Sequence, residues 1–155
     1  MRPSTGLLAL CATFALAACS SNAPLMRAAR AQQNAAVALG FIDLAINRGE
    51  VERAFHLYVA PGYREHDPRL GGDASGASLR RLVGSGGAGR VEVLHTVAQG
   101  ELVSVHSHAV AGAAGVAPGG AIVDLFRLER GLIVEHWRVA DTQAAAAPAA
   151  AAPSP

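Results

Sequence analysis

Apolar positions recur along this chain with two different periods, and the change of period separates helices from strands. From Ala31 to Arg48, Val37, Phe41 and Leu44 fall three to four residues apart, the spacing of one helix face. Gly49, following Arg48, offers a C-cap. Glu50 to Val59 repeats the pattern with Val51, Phe55 and Tyr58 and ends before Pro61. Asp73 can cap a third, weaker helix running to Val83, although Gly76 disfavours it. Tyr63 to Pro68 should be a short extended piece, because Pro68 drives Asp67 out of helical geometry. After Gly89 alternation takes over. Strands are expected over Val91 to Ala98 and Leu102 to Ala111, followed by a hairpin over Ala121 to Asp141 that turns at Arg130-Gly131. Helices first and an antiparallel sheet after them make an α+β pattern, with about three N-terminal helices covering one face of a curved sheet.

The hairpin carries the first candidate chemistry. Ile122, Asp124, Phe126 and Leu128 share one side of its first strand. A two-residue turn sets Asp124 opposite Trp137, Ile122 opposite Val139 and Leu128 opposite Ile133. A carboxyl on an apolar wall is costly unless it is hydrogen-bonded, protonated or lining a pocket. Desolvation would raise its pKa, so Asp124 could stay protonated and donate to a carbonyl or enolate oxygen. The alternative is a structural aspartate satisfied by Trp137 or by backbone donors.

Other residues could join it. His66 and Asp67 are neighbours, so only one can point inward from an extended chain, and either could take a proton alpha to a carbonyl. The alternative for both is a surface His-Asp-Pro turn. His106 and His108 share a strand face, as pocket-lining histidines, a solvated pair or the nucleus of a metal site. No acidic residue follows at the usual spacing of strand-borne metal sites, so no metal is expected. His136 alternates with Trp137; if the indole lines the pocket, this imidazole faces away from it. No nucleophile elbow surrounds Ser107, and the Gly84 to Gly89 loop lacks the strand–Gly–Lys–helix setting of a phosphate loop.

The two ends restrict the folded part. Arg2 and the apolar run Gly6 to Ala17 form a signal-like segment, and Leu16-Ala17-Ala18-Cys19 resembles a bacterial lipobox, with Cys19 as the acylated residue. The resemblance implies an envelope protein anchored in the membrane by its N-terminal lipid. With Ser20 next, the periplasmic face of the outer membrane is favoured. Cys11 leaves with the signal, so no thiol remains for a disulfide. The expected organisation is a signal peptide over 1–18, a tether over 19–30, one domain over 31–141, and a disordered Ala/Pro tail over 142–155. All 13 basic residues are arginines, set against 12 acidic ones in no basic cluster, so no nucleic-acid partner is expected.

Tyr63-Arg64-Glu65-His66-Asp67-Pro68, Val105-His106-Ser107-His108, Val123 to Arg127 and Gly131 to Trp137 together resemble the SnoaL-like polyketide cyclase branch of the nuclear transport factor 2-like superfamily. The resemblance implies a cone-shaped sheet around a pocket, homodimerisation through the outer sheet face, and cofactor-independent acid–base chemistry of cyclase, isomerase or aldol type. The ligand would be a small, largely apolar carbonyl compound. Asp124, His66 and Asp67 would be the catalytic candidates, with Tyr63, His106, His108, Phe126 and Trp137 lining the ligand. The branch usually carries Asp after the tryptophan, where this chain has Arg138; that departure favours the alternative of a non-catalytic lipoprotein binding a hydrophobic ligand or a protein partner.

Overall fold

The computed structural model describes residues 22–85, 89–111, 113 and 115–141. The expected signal segment, Cys19 and the Ala/Pro tail lie outside the described residues. In chain order the elements are α1 (Ala23–Ile42), a π-helical turn (Asp43–Asn47), α2 (Val51–Tyr58), β1 (Val59–Glu65), a single 3₁₀ turn (Pro68–Leu70), α3 (Ala77–Ser85), β2 (Arg90–Gln99), β3 (Leu102–Ala111), β4 (Ala121–Glu129) and β5 (Leu132–Ala140). The α+β architecture is as the periodicity predicts.

Local chemistry explains the boundaries. Helix α1 starts at Ala23, well before Ala31, so part of the expected tether is helical, with Pro24 in its first turn. Its last turn widens: the Arg48 N–H bonds back to the Asp43 carbonyl at 3.0 Å, and Gly49 then takes φ +70° to break the helix. Asp73 caps α3 as expected, accepting from the N–H groups of Ser75 at 2.8 Å and Ser78 at 2.5 Å.

The sheet order is β1-β5-β4-β3-β2. Four strands form the antiparallel meander read from the alternation, and β1 adds to the edge of β5 in parallel. The helices pack on one face. Phe41 of α1 meets Phe55 of α2 edge-on at 5.6 Å and Phe126 of β4 at 5.9 Å, and Phe55 meets Tyr63 of β1 at 5.7 Å. This aromatic chain joins the helical layer to the sheet, and Val103, Val105, Ile122, Leu128 and Ile133 complete a fully buried wall. The buried Asn34 of α1 donates to the Gly100 carbonyl at 2.8 Å, fastening the helix to the β2–β3 turn.

Candidate functional site

Strand alternation decides which side chains meet on the helix-covered, inner face. On β3 these are Val103, Val105, Ser107 and Ala109; on β4 they are Ile122, Asp124, Phe126 and Leu128. Strand β1 contributes Tyr63 and Glu65, and Asp67 follows in the same phase. Strand β5 breaks its own phase. Leu128 pairs with Ile133 as expected, but Arg127 pairs with Glu135, so a bulge at Val134 shifts the rest by one residue. Asp124 therefore faces Arg138 rather than Trp137, and Ile122 faces Ala140 rather than Val139. The same shift turns His136 inward and Trp137 outward, the reverse of the expected arrangement.

The consequence is a buried polar cluster within an apolar wall. His136 sits between two carboxylates: its Nε2 is 2.9 Å from Asp124 Oδ1, and its Nδ1 is 3.0 Å from both oxygens of Glu65. Arg138 Nε donates to the same Asp124 oxygen at 2.5 Å. The Tyr63 hydroxyl donates to Glu65 at 2.5 Å, and the Asp67 N–H donates to its other oxygen at 2.8 Å. Asp67 accepts from Arg69 through Nε at 3.0 Å and Nη2 at 2.7 Å. Phe126 stacks on the imidazole with centroids 4.7 Å apart. Asp124 is 1% exposed and His136 3%.

Electrostatics in this cluster run opposite to the expected neutral aspartic acid. Burial alone would push the Asp124 carboxyl up, but Arg138 and His136 beside it outweigh that and hold it at about 2. Burial would likewise depress the His136 pKa, yet Asp124 and Glu65 raise it above its ordinary value. Glu65 ends below the usual carboxylate range, because its bonds from His136 and Tyr63 exceed the effect of burial. Asp67 ends low for the same reason, with Arg69 as the donor. Burial and the neighbouring Glu65 drive Tyr63 upward, so it remains a neutral donor. Geometry makes the same point. Ionised carboxylates only accept, so an imidazole bonded to two of them must carry a proton on each nitrogen. Among the described residues, the buried side-chain atoms without a hydrogen-bond partner are Arg138 Nη1 and Ser107 Oγ.

Of the residues singled out from sequence, Tyr63, Asp67, Asp124 and Phe126 lie together on the inner side. His66 and Trp137 lie on the outer side, stacked at 4.6 Å, and His66 Nε2 is 3.3 Å from Glu135. His106 and His108 also face outward: His106 stacks on His95 at 5.6 Å and His108 is 3.8 Å from Glu92. Among the described residues no group of three or more His, Cys, Asp or Glu is arranged to hold a metal ion. Sequence reasoning passed over Glu65, Ser107, His136 and Arg138. A signal existed for the first two. Tyr63, Glu65 and Asp67 alternate in one phase, and the apolar phase of Val103, Val105 and Ala109 places Ser107 inside and both histidines outside. A hollow of about 530 Å³ lies apart from this cluster, between α1 and the hairpin tips, where Arg30, Asn34, Glu101 and Arg130 line it.

The chain belongs to the SnoaL-like domain family, whose model matches residues 38–136. The fold is shared with a suggested SnoaL-like polyketide cyclase from Jannaschia sp. CCS1 (19% identity over 72% of this chain and 88% of the other, TM-score 0.59). It is shared also with IdmH of Streptomyces antibioticus, a suggested polyketide cyclase (22% identity, 70% and 92%, TM-score 0.55). A suggested ketosteroid isomerase from Kribbella flavida is similar in the same way (19% identity, 81% and 84%, TM-score 0.54). At these identities the likeness is one of fold. No curated protein sequence matches the chain significantly. Among the described residues no helix is long and apolar enough to cross a membrane.

Proposed function

We propose that this is a lipid-anchored envelope protein of the SnoaL-like family that performs cofactor-independent acid–base chemistry, of cyclase, isomerase or aldol type, on a small, largely apolar carbonyl compound. Its anchor would be acylated Cys19 on the periplasmic face of the outer membrane, and it would work as a homodimer paired through the outer sheet face. One observation carries the catalytic reading: the His136 imidazole held between Glu65 and Asp124 on the inner face. Each N–H of the doubly protonated imidazole is donated to a carboxylate, so a carbonyl oxygen would become its acceptor by displacing Glu65 from Nδ1, and Asp124 would serve as the counterion rather than as the acid. In enolisation a carboxylate, Asp67 or Glu65, would take the α-proton while His136 protonates the oxygen. Reversal with the proton returned to another carbon gives isomerisation, and attack by the enol carbon on a second carbonyl gives ring closure.

The test needs no knowledge of the natural substrate. A panel of small apolar ketones and enones is incubated with the protein in D₂O, and α-proton exchange is followed by NMR. Exchange above the buffer rate is expected for some of the panel, with a loss of about 10²-fold or more in His136→Gln. Buffer-level exchange across the panel would contradict catalysis.

A second reading, a non-catalytic cup that binds a hydrophobic ligand or a partner protein, is favoured by the near-complete enclosure of Asp124 and His136. Under it, compounds bind without exchange. The anchor is tested separately: labelling with a fatty-acid analogue is expected in the full chain and absent in Cys19→Ser.

A further inference from the structure

Most of the expected tether is helix. Because α1 starts at Ala23, only Ser20 to Asn22 stand between Cys19 and its first residue. Even fully extended, that link reaches no further than about 14 Å. A lipid on Cys19 would therefore hold this end of the domain against the headgroups instead of letting it swing free. Leu25 and Met26 follow at once in α1, 68% and 69% exposed. Further along the helix, Met26, Arg27, Arg30 and Gln33 border a hollow of about 390 Å³ shared with the β2–β3 turn at Gly100-Glu101. Arg30 and Gln33 also border the 530 Å³ hollow, whose far wall is the β4–β5 turn with Arg130. The two hollows thus form one continuous surface at the hairpin-turn end of the molecule. Arg27, Arg30 and Arg130 are all exposed, and among the described residues none of them forms an ion pair. The acids at this end are the exposed Glu101 and Glu129, and Arg127 already holds Glu129. The surface is net positive beside two bare apolar side chains.

We propose that this end of the domain docks on an anionic phospholipid surface, with Leu25 and Met26 among the headgroups and Arg27, Arg30 and Arg130 on lipid phosphates. The inference deepens the proposed anchoring and rests on Cys19 as the lipid site: the acyl chains supply attachment, and this face supplies orientation. Charge selects an anionic bilayer over a zwitterionic one, since each guanidinium near a negative surface adds attraction that salt screens. Arginine suits the task, because its planar fork meets a phosphate through two parallel N–H bonds and sheds its hydration readily. Docked this way, the far ends of β4 and β5, at Ala121 and Ala140, face away from the membrane.

The test uses the mature chain, Cys19 to Pro155, made without its signal and carrying Cys19→Ser, so that no lipid attaches it. Sedimentation measures its partition onto vesicles of phosphatidylcholine alone and of phosphatidylcholine with about one-third phosphatidylglycerol. Partition onto the anionic vesicles is expected to be about tenfold stronger or more, and to weaken with added salt. Arg30→Gln with Arg130→Gln should cut that preference severalfold, and Leu25→Ser with Met26→Ser should lower partition onto both kinds of vesicle. Arg53→Gln with Arg80→Gln, which removes the same charge from exposed positions elsewhere, should leave the preference unchanged. Equal partition onto the two vesicles would overturn the docking face. An equal loss in the Arg53/Arg80 pair would overturn it too, by making binding a matter of net charge alone. Release by inorganic phosphate at constant ionic strength would mark a pocket for one free phosphate instead of a bilayer surface. If the preference is absent while a fatty-acid analogue labels Cys19, the docking face fails and the anchor stands. If the preference is present and Cys19 takes no label, the anchor fails and the docking face stands.

Discussion

The two faces of this sheet carry the same pair of groups, an imidazole beside a carboxylate, in opposite surroundings. On the inner face His136 lies between Glu65 and Asp124 with all three side chains at most 4% exposed. On the outer face His66 lies 3.3 Å from Glu135 with its side chain 37% exposed and its ring against Trp137. Outside, Glu135 has further partners in Arg64 and Arg127, whose side chains are 67% and 27% exposed. Inside, the partners are buried: the side chains of Tyr63 and Arg138 and the backbone N–H of Asp67. The difference teaches that spacing and residue type do not make a site; the dielectric around them does.

That contrast can be broken experimentally, starting on the inner face. Arg138→Met leaves Asp124 without its guanidinium and should cost about 3–5 kcal/mol of stability, read by denaturant unfolding. Adding Asp124→Leu to Arg138→Met should recover part of that loss, because no carboxylate is then left waiting for Arg138. A cost below 1 kcal/mol for the single variant would mean the pair is solvated. Glu65→Gln keeps the shape but removes the charge opposite His136 and one of the two oxygens that accept from Tyr63 and from the Asp67 N–H. About 1.5–3 kcal/mol is expected.

The pH profile comes next. The His136 pKa is raised in the fold, so its contribution is complete below the ordinary histidine value of 6.5 and is lost as pH rises through the folded value. Asp124 is lowered to about 2, so its contribution is complete above the ordinary carboxylate value of 3.8 and is lost as pH falls toward 2. Stability should therefore peak between those ordinary values and fall on both sides, and His136→Gln should remove the alkaline limb. Smallest of all, His66→Ala on the outer face should cost about 1 kcal/mol or less, most of it from the stack on Trp137. A loss as large as that of Arg138→Met would abolish the distinction between the faces.

How far the sequence revealed this depended on what broke the periodicity. The helices, the turns of the β2–β3 and β4–β5 hairpins and the inward placement of Asp124 follow from periodicity and turn chemistry. The parallel docking of Val59–Glu65 on β5 could not be read, because a parallel pairing leaves no local turn signal. The bulge at Val134 hid more. One extra residue exchanges the faces of everything after it, so the pattern Ile133-Val134-Glu135-His136-Trp137 supports either phase. Tryptophan looked like the ligand-facing residue because an unbulged two-residue hairpin sets it opposite Asp124. Here Glu65, Asp124 and Arg138 together make the wall polar enough to take the imidazole instead. In the same way, the departure at Arg138 reads from sequence as a lost acid; in the fold it is the counterion that keeps Asp124 ionised.

The central claim is that His136 is a doubly protonated imidazole locked between two carboxylates. Nitrogen-detected NMR of ¹⁵N-histidine-labelled protein, titrated from pH 5 to 9 with His136→Gln to assign the resonance, tests it directly. The account predicts that both His136 nitrogens remain protonated at pH 6.5 and titrate only above it. A neutral imidazole at pH 6.5, with one nitrogen bare, would contradict it.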